Sequence, residues 1–245
     1  MLPLVEGMMA GATPRWPDVL AMAAAAESVG LDSVWVIDHL AFPPVEGSSA
    51  ALGVWEGWSI IAALAATTQR IELGTFVVCT GFRNPTLLAK MAATVDDISN
   101  GRLTLGLGAG NNEFEHHAFG YPFHHRVSRF EEALAIIHPL LRTVALLQPM
   151  VDVACREAGR DPASLGRSAG VLVEVAGSVA YPAGYPGPWN RYGPAPPLTG
   201  SPEELADQFR SFAREGIDHL QVWVNPTTPA GVEQLGKTVE LLNRS

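Results

Sequence analysis

The chain has 245 residues, of which 47% are hydrophobic and 17% are charged, and its formal net charge is −9. This composition predicts one soluble globular domain, residues 1–245, with a sizeable core. The acidic balance argues against nucleic acids and anionic membranes as partners, because both bind surfaces rich in Lys and Arg.

Cysteine usage and the N-terminal sequence indicate the compartment. Cys79 and Cys155 lie far apart in the chain, a pattern that favours two reduced thiols in a cytoplasmic protein. The first residues lack the basic region and long apolar core of a signal peptide. No apolar run reaches the roughly 18 residues that a membrane-spanning helix needs, so we expect a cytoplasmic protein.

Strand and helix patterns alternate along the first half of the chain. The predicted strands cover residues 2–9 (weakened by Pro3), 33–38, 71–79 and a stretch that begins at 101. The predicted helices cover residues 16–29, 56–68 and 85–98. This alternation is typical of a parallel α/β architecture.

The second half of the chain contains fewer strand patterns than the first. It reads as helices at 126–142 and 148–159, a strand at 170–176, a Pro- and Gly-rich loop with aromatic residues at 182–197, a helix that begins at Pro202, a strand at 219–225 and a helix at 229–243. About six strands are predicted in total. The first two of these helices follow each other with very little chain between them.

The stretch GRLTLGLGAGNNE, residues 101–113, combines a predicted buried strand with a glycine-rich loop. Ligands of α/β proteins bind at the carboxyl ends of strands, and Gly108 and Gly110 would let backbone N–H groups approach a ligand closely. Asn111, Asn112 and Glu113 would add polar contacts. The alternatives are tight packing of the strand against a helix and a hydrated polar loop, since the spacing G-x-G-x-G differs from the dinucleotide fingerprint.

Two further strand ends carry reactive side chains. Asp38 and His39 end an apolar strand, and histidine exchanges protons near neutral pH, so His39 is a candidate acid or base. The alternative is a loop or capping histidine that Asp38 holds in place. Cys79 ends the strand at 71–79, where it is either a ligand contact or a small buried apolar residue.

A histidine-rich stretch follows the glycine loop. His116, His117, His124 and His125 lie near Glu113 and Glu115, and imidazole and carboxylate groups are zinc ligands. The stretch contains neither H-E-x-x-H nor a cysteine pair. We therefore predict no metal site.

Several stretches together resemble the luciferase-like monooxygenases. They are WPDVLAMAAAAESVGLDSVWVIDHL, RIELGTFVVCTGFRNPTLLAKMAATVDDISNGRL, GRLTLGLGAGNNE followed by FGYPF and RFEEALAII, and GSPEELADQFRSFAREGIDHLQVWV. The resemblance implies a TIM-barrel-like (β/α)8 fold of the bacterial luciferase type. It also implies an oxidoreductase that uses F420 or, alternatively, FMN on a small organic substrate, by hydride transfer or monooxygenation.

The resemblance also implies roles for individual residues. His39 would be catalytic, and a non-prolyl cis peptide at Phe76–Val77 would support the cofactor ring. The cofactor contacts would come from Asp38, Val77, Cys79, Gly108, Gly110, Asn111, Asn112 and Glu113. Asp38-His39 favours F420 over FMN. Family members usually self-associate, and the Ala-rich helices at 16–29 and 56–68 suit close packing, so we expect a homodimer.

The chain departs from the family pattern between Arg142 and Gln148. Members normally have two more strands there, and an eight-stranded barrel cannot close with six. We therefore expect an incomplete or distorted barrel. The alternative function is a degenerate, non-catalytic cofactor-binding protein that has lost the middle strands.

Overall fold

The computed structural model describes residues 1–9, 11–45, 47–144, 168–178, 197–215 and 217–244. The strands are β1 Ser33–Val36, β2 Ala41–Phe42, β3 Leu52–Gly53, β4 Glu72–Thr75, β5 Val78–Cys79, β6 Leu103–Thr104, β7 Leu107–Gly108, β8 Ser168–Glu174 and β9 His219–Asn225. The helices are α1 Trp16–Ser28, α2 Gly57–Thr67, α3 Pro85–Ser99, α4 Glu113–Ala118, α5 Arg126–Val144, α6 Pro202–Arg214, α7 Pro229–Gln234 and α8 Gly236–Asn243, with a 3₁₀ turn at Thr80–Phe82. None of these helices is both long and apolar enough to cross a membrane.

Parallel pairing places the strands around a curved sheet. Strand β4 lies between β1 and β6, β5 pairs with β7, and β8 pairs with β9. The first residues link the two sets, because the Leu2 N–H donates to the Trp35 carbonyl at 2.8 Å and the Met1 amine donates to the Val222 carbonyl at 3.1 Å. The spatial order is therefore β8, β9, the N-terminal segment, β1, β4–β5 and β6–β7. The pairs β8–β9, β1–β4, β4–β6 and β5–β7 are parallel, as the alternating pattern predicted.

Two predicted strands are each divided in the structure. The prediction of one strand at 71–79 and one from 101 was wrong, because side-chain bonds interrupt the main-chain ladder. Thr75 Oγ1 accepts the Gly106 N–H and donates to the Gly106 carbonyl, both at 2.9 Å. The peptide between Phe76 and Val77 is cis, as the resemblance implied.

Other boundaries also differ from the prediction. The helix predicted at 229–243 is two helices, and Glu113, predicted in a loop, is the first residue of α4. The β2–β3 hairpin was not predicted. The helix at 148–159, Cys155, nearly all of the loop at 182–197 and most of the chain between Arg142 and Gln148 lie outside the described residues, so the incomplete barrel remains a prediction.

The hydrophobic core lies between the outer face of the sheet and the helices. Side chains alternate along β1, where Val34 and Val36 are buried against the helices. Trp35 has the opposite orientation, because its ring lies over Gly74, where a Cβ atom would come within 2.2 Å of the indole. The outer face of the sheet therefore forms the core, and aromatic side chains occupy its inner face.

Candidate functional site

His39 lies beyond the carboxyl end of β1, where its imidazole is held by a buried carboxylate. His39 Nδ1 lies 2.9 Å from Glu115 Oε1. The side chain of Glu115 is 1% exposed, whereas that of His39 is 23% exposed. The bond to Glu115 uses Nδ1, so Nε2 is the ring nitrogen available to a ligand.

Asp38, the neighbour of His39, makes internal contacts. Its carboxylate forms a two-pronged ion pair with Arg83, at 2.6 and 2.7 Å, and accepts the Cys79 N–H at 2.9 Å. Arg83 also contacts Glu56, which accepts the Trp58 and Ser59 N–H groups at the start of α2. Asp38 thus fixes the ends of β1 and β5 relative to each other.

Burial and the carboxylates of Asp38 and Glu56 have opposite effects on the pKa of Arg83. Burial disfavours its charge, but the bonds to Asp38 and Glu56 outweigh that effect and raise the pKa of the Arg83 guanidinium. Arg83 therefore stays charged at all working pH values and holds the three segments together.

The cis peptide after β4 presents an apolar surface to solvent. Phe76 is 42% exposed and Val77 is 40% exposed, and we call these two residues the apolar ledge. Phe76 contacts Trp35 and Trp223 edge to face, each with ring centroids 6.4 Å apart. Large apolar side chains exposed at the mouth of an α/β fold suit contact with a planar ring.

The glycines of β7 and the loop after it are required by close packing. A Cβ atom at Gly108 would lie 2.5 Å from Val77 Cγ2. At Gly110, where φ is +78°, it would lie 2.7 Å from Cys79 Sγ and 2.8 Å from His116 Cε1. Glycine at both positions is therefore explained by packing within the protein, against the ledge at Gly108 and against Cys79 and His116 at Gly110.

The three polar residues after the glycines have different surroundings. Asn112 is buried and donates to the Ala41 carbonyl at 2.9 Å, which ties the loop to β2. Asn111 and Glu113 are exposed. Their contact with a ligand remains a prediction, while Asn112 fixes the loop that carries them.

Cys79 is 3% exposed, and its Sγ lies 3.9 Å from His116 Nε2. Burial raises the pKa of the Cys79 thiol to about 11, with further contributions from the Asp38 and Glu115 charges. The thiol is therefore protonated at neutral pH, which argues for packing at the base of the loop rather than nucleophilic chemistry.

The histidine-rich stretch divides into buried and exposed members. His116 is 1% exposed and its Nδ1 lies 3.0 Å from the Asn112 carbonyl, whereas His117 lies 3.9 Å from Glu113 on the surface. Within the described ranges, no three His, Cys, Asp or Glu side chains are grouped so that they could hold a metal ion.

Sequence reasoning missed two residues that organise this site. Arg83 was not singled out, and Glu115 was considered only as a metal ligand. Their partners are remote, since Arg83 lies 45 positions from Asp38 and Glu115 lies 76 positions from His39. The available signal was a charged residue shortly after two of the predicted ligand-binding strand ends: Arg83 follows Cys79, and Glu115 follows Gly110.

Comparison with known proteins identifies the family. The model of the luciferase-like monooxygenases matches residues 1–153, which is more than half of the chain and includes every predicted site residue. The chain belongs to the luciferase-like monooxygenase family. The similarity predicted for residues 200–224 lies outside this match.

Two curated relatives of this luciferase-like protein are named as oxidoreductases, one as an F420-dependent dehydrogenase and one as a ketoreductase. It is 39% identical over 127 residues to the F420-dependent glucose-6-phosphate dehydrogenase of Amycolatopsis mediterranei. The matched segment covers 50% of this chain and 37% of the relative. It is 37% identical over 131 residues to the phthiodiolone/phenolphthiodiolone dimycocerosates ketoreductase of Mycobacterium bovis, covering 48% of this chain and 34% of the relative. The matched segments thus span about a third of each relative.

A solved structure confirms the barrel-type fold. An F420-dependent secondary alcohol dehydrogenase, in complex with an F420–acetone adduct, superimposes with a TM-score of 0.70 at 18% identity, covering 94% of this chain and 96% of that chain. At this identity the similarity shows the fold alone. The luciferase-like TIM-barrel class predicted from the sequence is therefore correct.

Proposed function

We propose that the protein is an oxidoreductase that binds F420 over the apolar ledge, at the mouth formed by the ends of β1, β5 and β7, and acts on a small organic substrate. FMN is the alternative cofactor, for which monooxygenation would replace hydride transfer. The observation that carries the proposal is His39, a partly exposed imidazole that a buried carboxylate holds beyond the end of β1; the exposed apolar ledge follows the neighbouring strand β4. The names of the two curated relatives support F420 and an oxidoreductase activity.

The residues of the site suit this chemistry. A bound deazaflavin supplies the hydride acceptor or donor, while the protein supplies binding, orientation and proton transfer. Phe76 and Val77 present apolar surface to a ring, and Asn111 and Glu113 offer polar groups at its edge. In this proposal, His39 Nε2 exchanges a proton with a substrate oxygen.

The non-catalytic alternative is not favoured. The residues that the resemblance assigns to ring contact lie together in the structure, at the ends of β1, β5 and β7. The relatives that match this half of the chain are named as a dehydrogenase and a ketoreductase. We therefore retain catalysis as the proposed function.

A paired titration tests the cofactor. Purified protein is titrated with F420 and with FMN under identical conditions, and binding is read from the quenching of cofactor fluorescence. We expect tighter binding of F420. Tighter binding of FMN would contradict the F420 assignment and favour monooxygenation.

A pair of histidine variants tests the proposed role of His39. We expect His39→Ala to lower turnover by on the order of 10²-fold or more, as loss of general acid–base catalysis does. The loss of one contact should weaken cofactor binding by only about fivefold. The assay follows F420 absorbance with a panel that includes glucose 6-phosphate and simple alcohols.

The control is His117→Ala, because His117 is an exposed histidine, 69% exposed in its side chain, on the neighbouring helix α4. This variant should turn over like the unaltered protein. Equal turnover in both variants would remove His39 from the mechanism.

A further inference from the structure

Glu115 is a buried acid of this site, and two backbone N–H groups and a histidine nitrogen face its carboxylate. Its Oε2 accepts the Leu40 N–H at 2.8 Å, and the Ala41 N–H lies 3.5 Å from the same oxygen. Its Oε1 faces His39 Nδ1 at 2.9 Å. An ionised carboxylate has no proton to donate, so the hydrogen in the bond to His39 must come from Nδ1.

The tautomer of His39 follows from this bond. A neutral imidazole carries one proton, and when that proton is on Nδ1 the lone pair is on Nε2. We propose that Glu115 is a positioning residue that fixes His39 as the Nδ1-protonated tautomer, with the basic nitrogen directed to the mouth. This inference rests on the proposed function. It states how Glu115 keeps His39 Nε2 in the form that can accept a proton.

The chemical consequence concerns the direction of proton transfer. If an alcohol is the substrate, its O–H and C–H bonds would break as the C=O bond forms; the proton would move to His39 Nε2, and a bound deazaflavin would take up the hydride. Only an Nε2 without a proton can accept in that step. The other tautomer would present an N–H group to the hydroxyl and block the transfer.

Helix α4 places Glu115 accurately because it is fixed to the His39 loop at more than one point. Asn112, which precedes α4, donates to the Ala41 carbonyl at 2.9 Å. Glu115 contacts the backbone of Leu40 and Ala41 as well as the His39 ring. The helix and the loop therefore hold the imidazole at a defined distance and orientation.

The variant Glu115→Gln tests the inference because it exchanges one acceptor for a donor. The Leu40 N–H can only donate, so the amide oxygen of Gln should turn toward it. The amide NH₂ would then face His39 Nδ1, which must accept, and the ring proton would move to Nε2. The matched control is Glu132→Gln, because Glu132 is an exposed glutamate on helix α5, outside the proposed site.

The first measurement is the tautomer, by ¹⁵N NMR of the histidine side chains without cofactor, with His39→Ala identifying the signals. We expect Nδ1–H for His39 in the unaltered protein and in Glu132→Gln, and Nε2–H in Glu115→Gln. Nε2–H in the unaltered protein, or no change in Glu115→Gln, would overturn the inference. The measurement on the unaltered protein decides even if Glu115→Gln fails to fold.

The second experiment measures both turnover and F420 affinity for the unaltered protein and the Glu115 variants. We expect Glu115→Gln to lower turnover by on the order of 10²-fold with an F420 affinity within about fivefold of the original. Glu115→Asp keeps a carboxylate and should retain the Nδ1–H tautomer and part of the turnover. The Nε2–H tautomer in Glu115→Gln with unchanged turnover would overturn the positioning role of Glu115. If the unaltered protein bound neither F420 nor FMN, the proposed function would be refuted, but the tautomer result would still stand.

Discussion

Arg102, in the Gly-Arg pair that opens the family-like stretch at 101–113, is predicted to stabilise the fold rather than bind a ligand. Its guanidinium donates to the carbonyls of Ser99 at 2.7 Å and Ile71 at 2.6 Å. It also donates to the Ala65 and Thr68 carbonyls at 3.1 and 3.0 Å and to the Thr68 hydroxyl at 2.9 Å. These acceptors lie at the carboxyl ends of α2 and α3 and at the start of β4.

The expected magnitude follows from these contacts. Arg102→Met keeps most of the aliphatic stem but removes every donor and the charge. Each helix carboxyl end loses about 0.5 kcal/mol of favourable interaction with a cation. Part-buried carbonyls that lose a partner cost about 1 kcal/mol each. Because such terms are not additive, we expect a loss of roughly 3 kcal/mol in the free energy of unfolding.

Urea unfolding followed by far-ultraviolet circular dichroism measures this loss, provided the slope with urea is unchanged. Arg102→Lys should be intermediate, because one ammonium group cannot reach both helices. The control is Arg244→Met, since Arg244 pairs with Glu240 at 3.5 Å on the surface and should change stability by less than about 0.5 kcal/mol. A loss below about 1 kcal/mol in Arg102→Met would refute the reasoning.

Three further predictions concern packing, pH and assembly. Gly110→Ala should lower stability by about 1–3 kcal/mol more than Gly120→Ala, because both have positive φ but only Gly110 is crowded; equal melting temperatures would contradict this. Burial raises the pKa of the Cys79 thiol from its usual 9.0 to about 11, so the protonated thiol contributes up to about 3 kcal/mol to stability. This contribution is present below the ordinary thiol pKa and is lost as pH rises from about 9 to about 11. Cys79→Ala should reduce that loss, and an identical pH slope in both proteins would count against it. Light scattering at micromolar protein should give a homodimer, and a mass near 26.1 kDa would contradict that.

The placement of the site could be predicted because local patterns determine it. An apolar strand that ends in Asp38-His39 and a strand that ends in glycines both identify carboxyl ends of a parallel sheet. The cis peptide at Phe76–Val77 was predicted from family resemblance and is present. Sequence periodicity alone would not have found it, because the residues around it read as one continuous strand.

The internal ion pairs could not be predicted because they depend on tertiary distance. Asp38 was predicted to contact the cofactor, yet its side chain is 2% exposed and is paired with Arg83. Asn112 was given the same role and is bonded to the Ala41 carbonyl. Polar residues at strand ends look alike in a sequence, whether they face a ligand or fix a neighbouring loop.

The bond between Asp38 and the Cys79 N–H has a consequence for how this mouth can change. Lower in the sheet, β1 and β4 are joined by main-chain hydrogen bonds, whose length is nearly the same for every sequence. At the rim, a side chain joins the ends of β1 and β5, because the Asp38 carboxylate accepts the Cys79 N–H at 2.9 Å. A longer side chain at this position, as in Asp38→Glu, would change the distance that this link spans. The width of the mouth can therefore evolve, or be engineered, without altering the sheet beneath it.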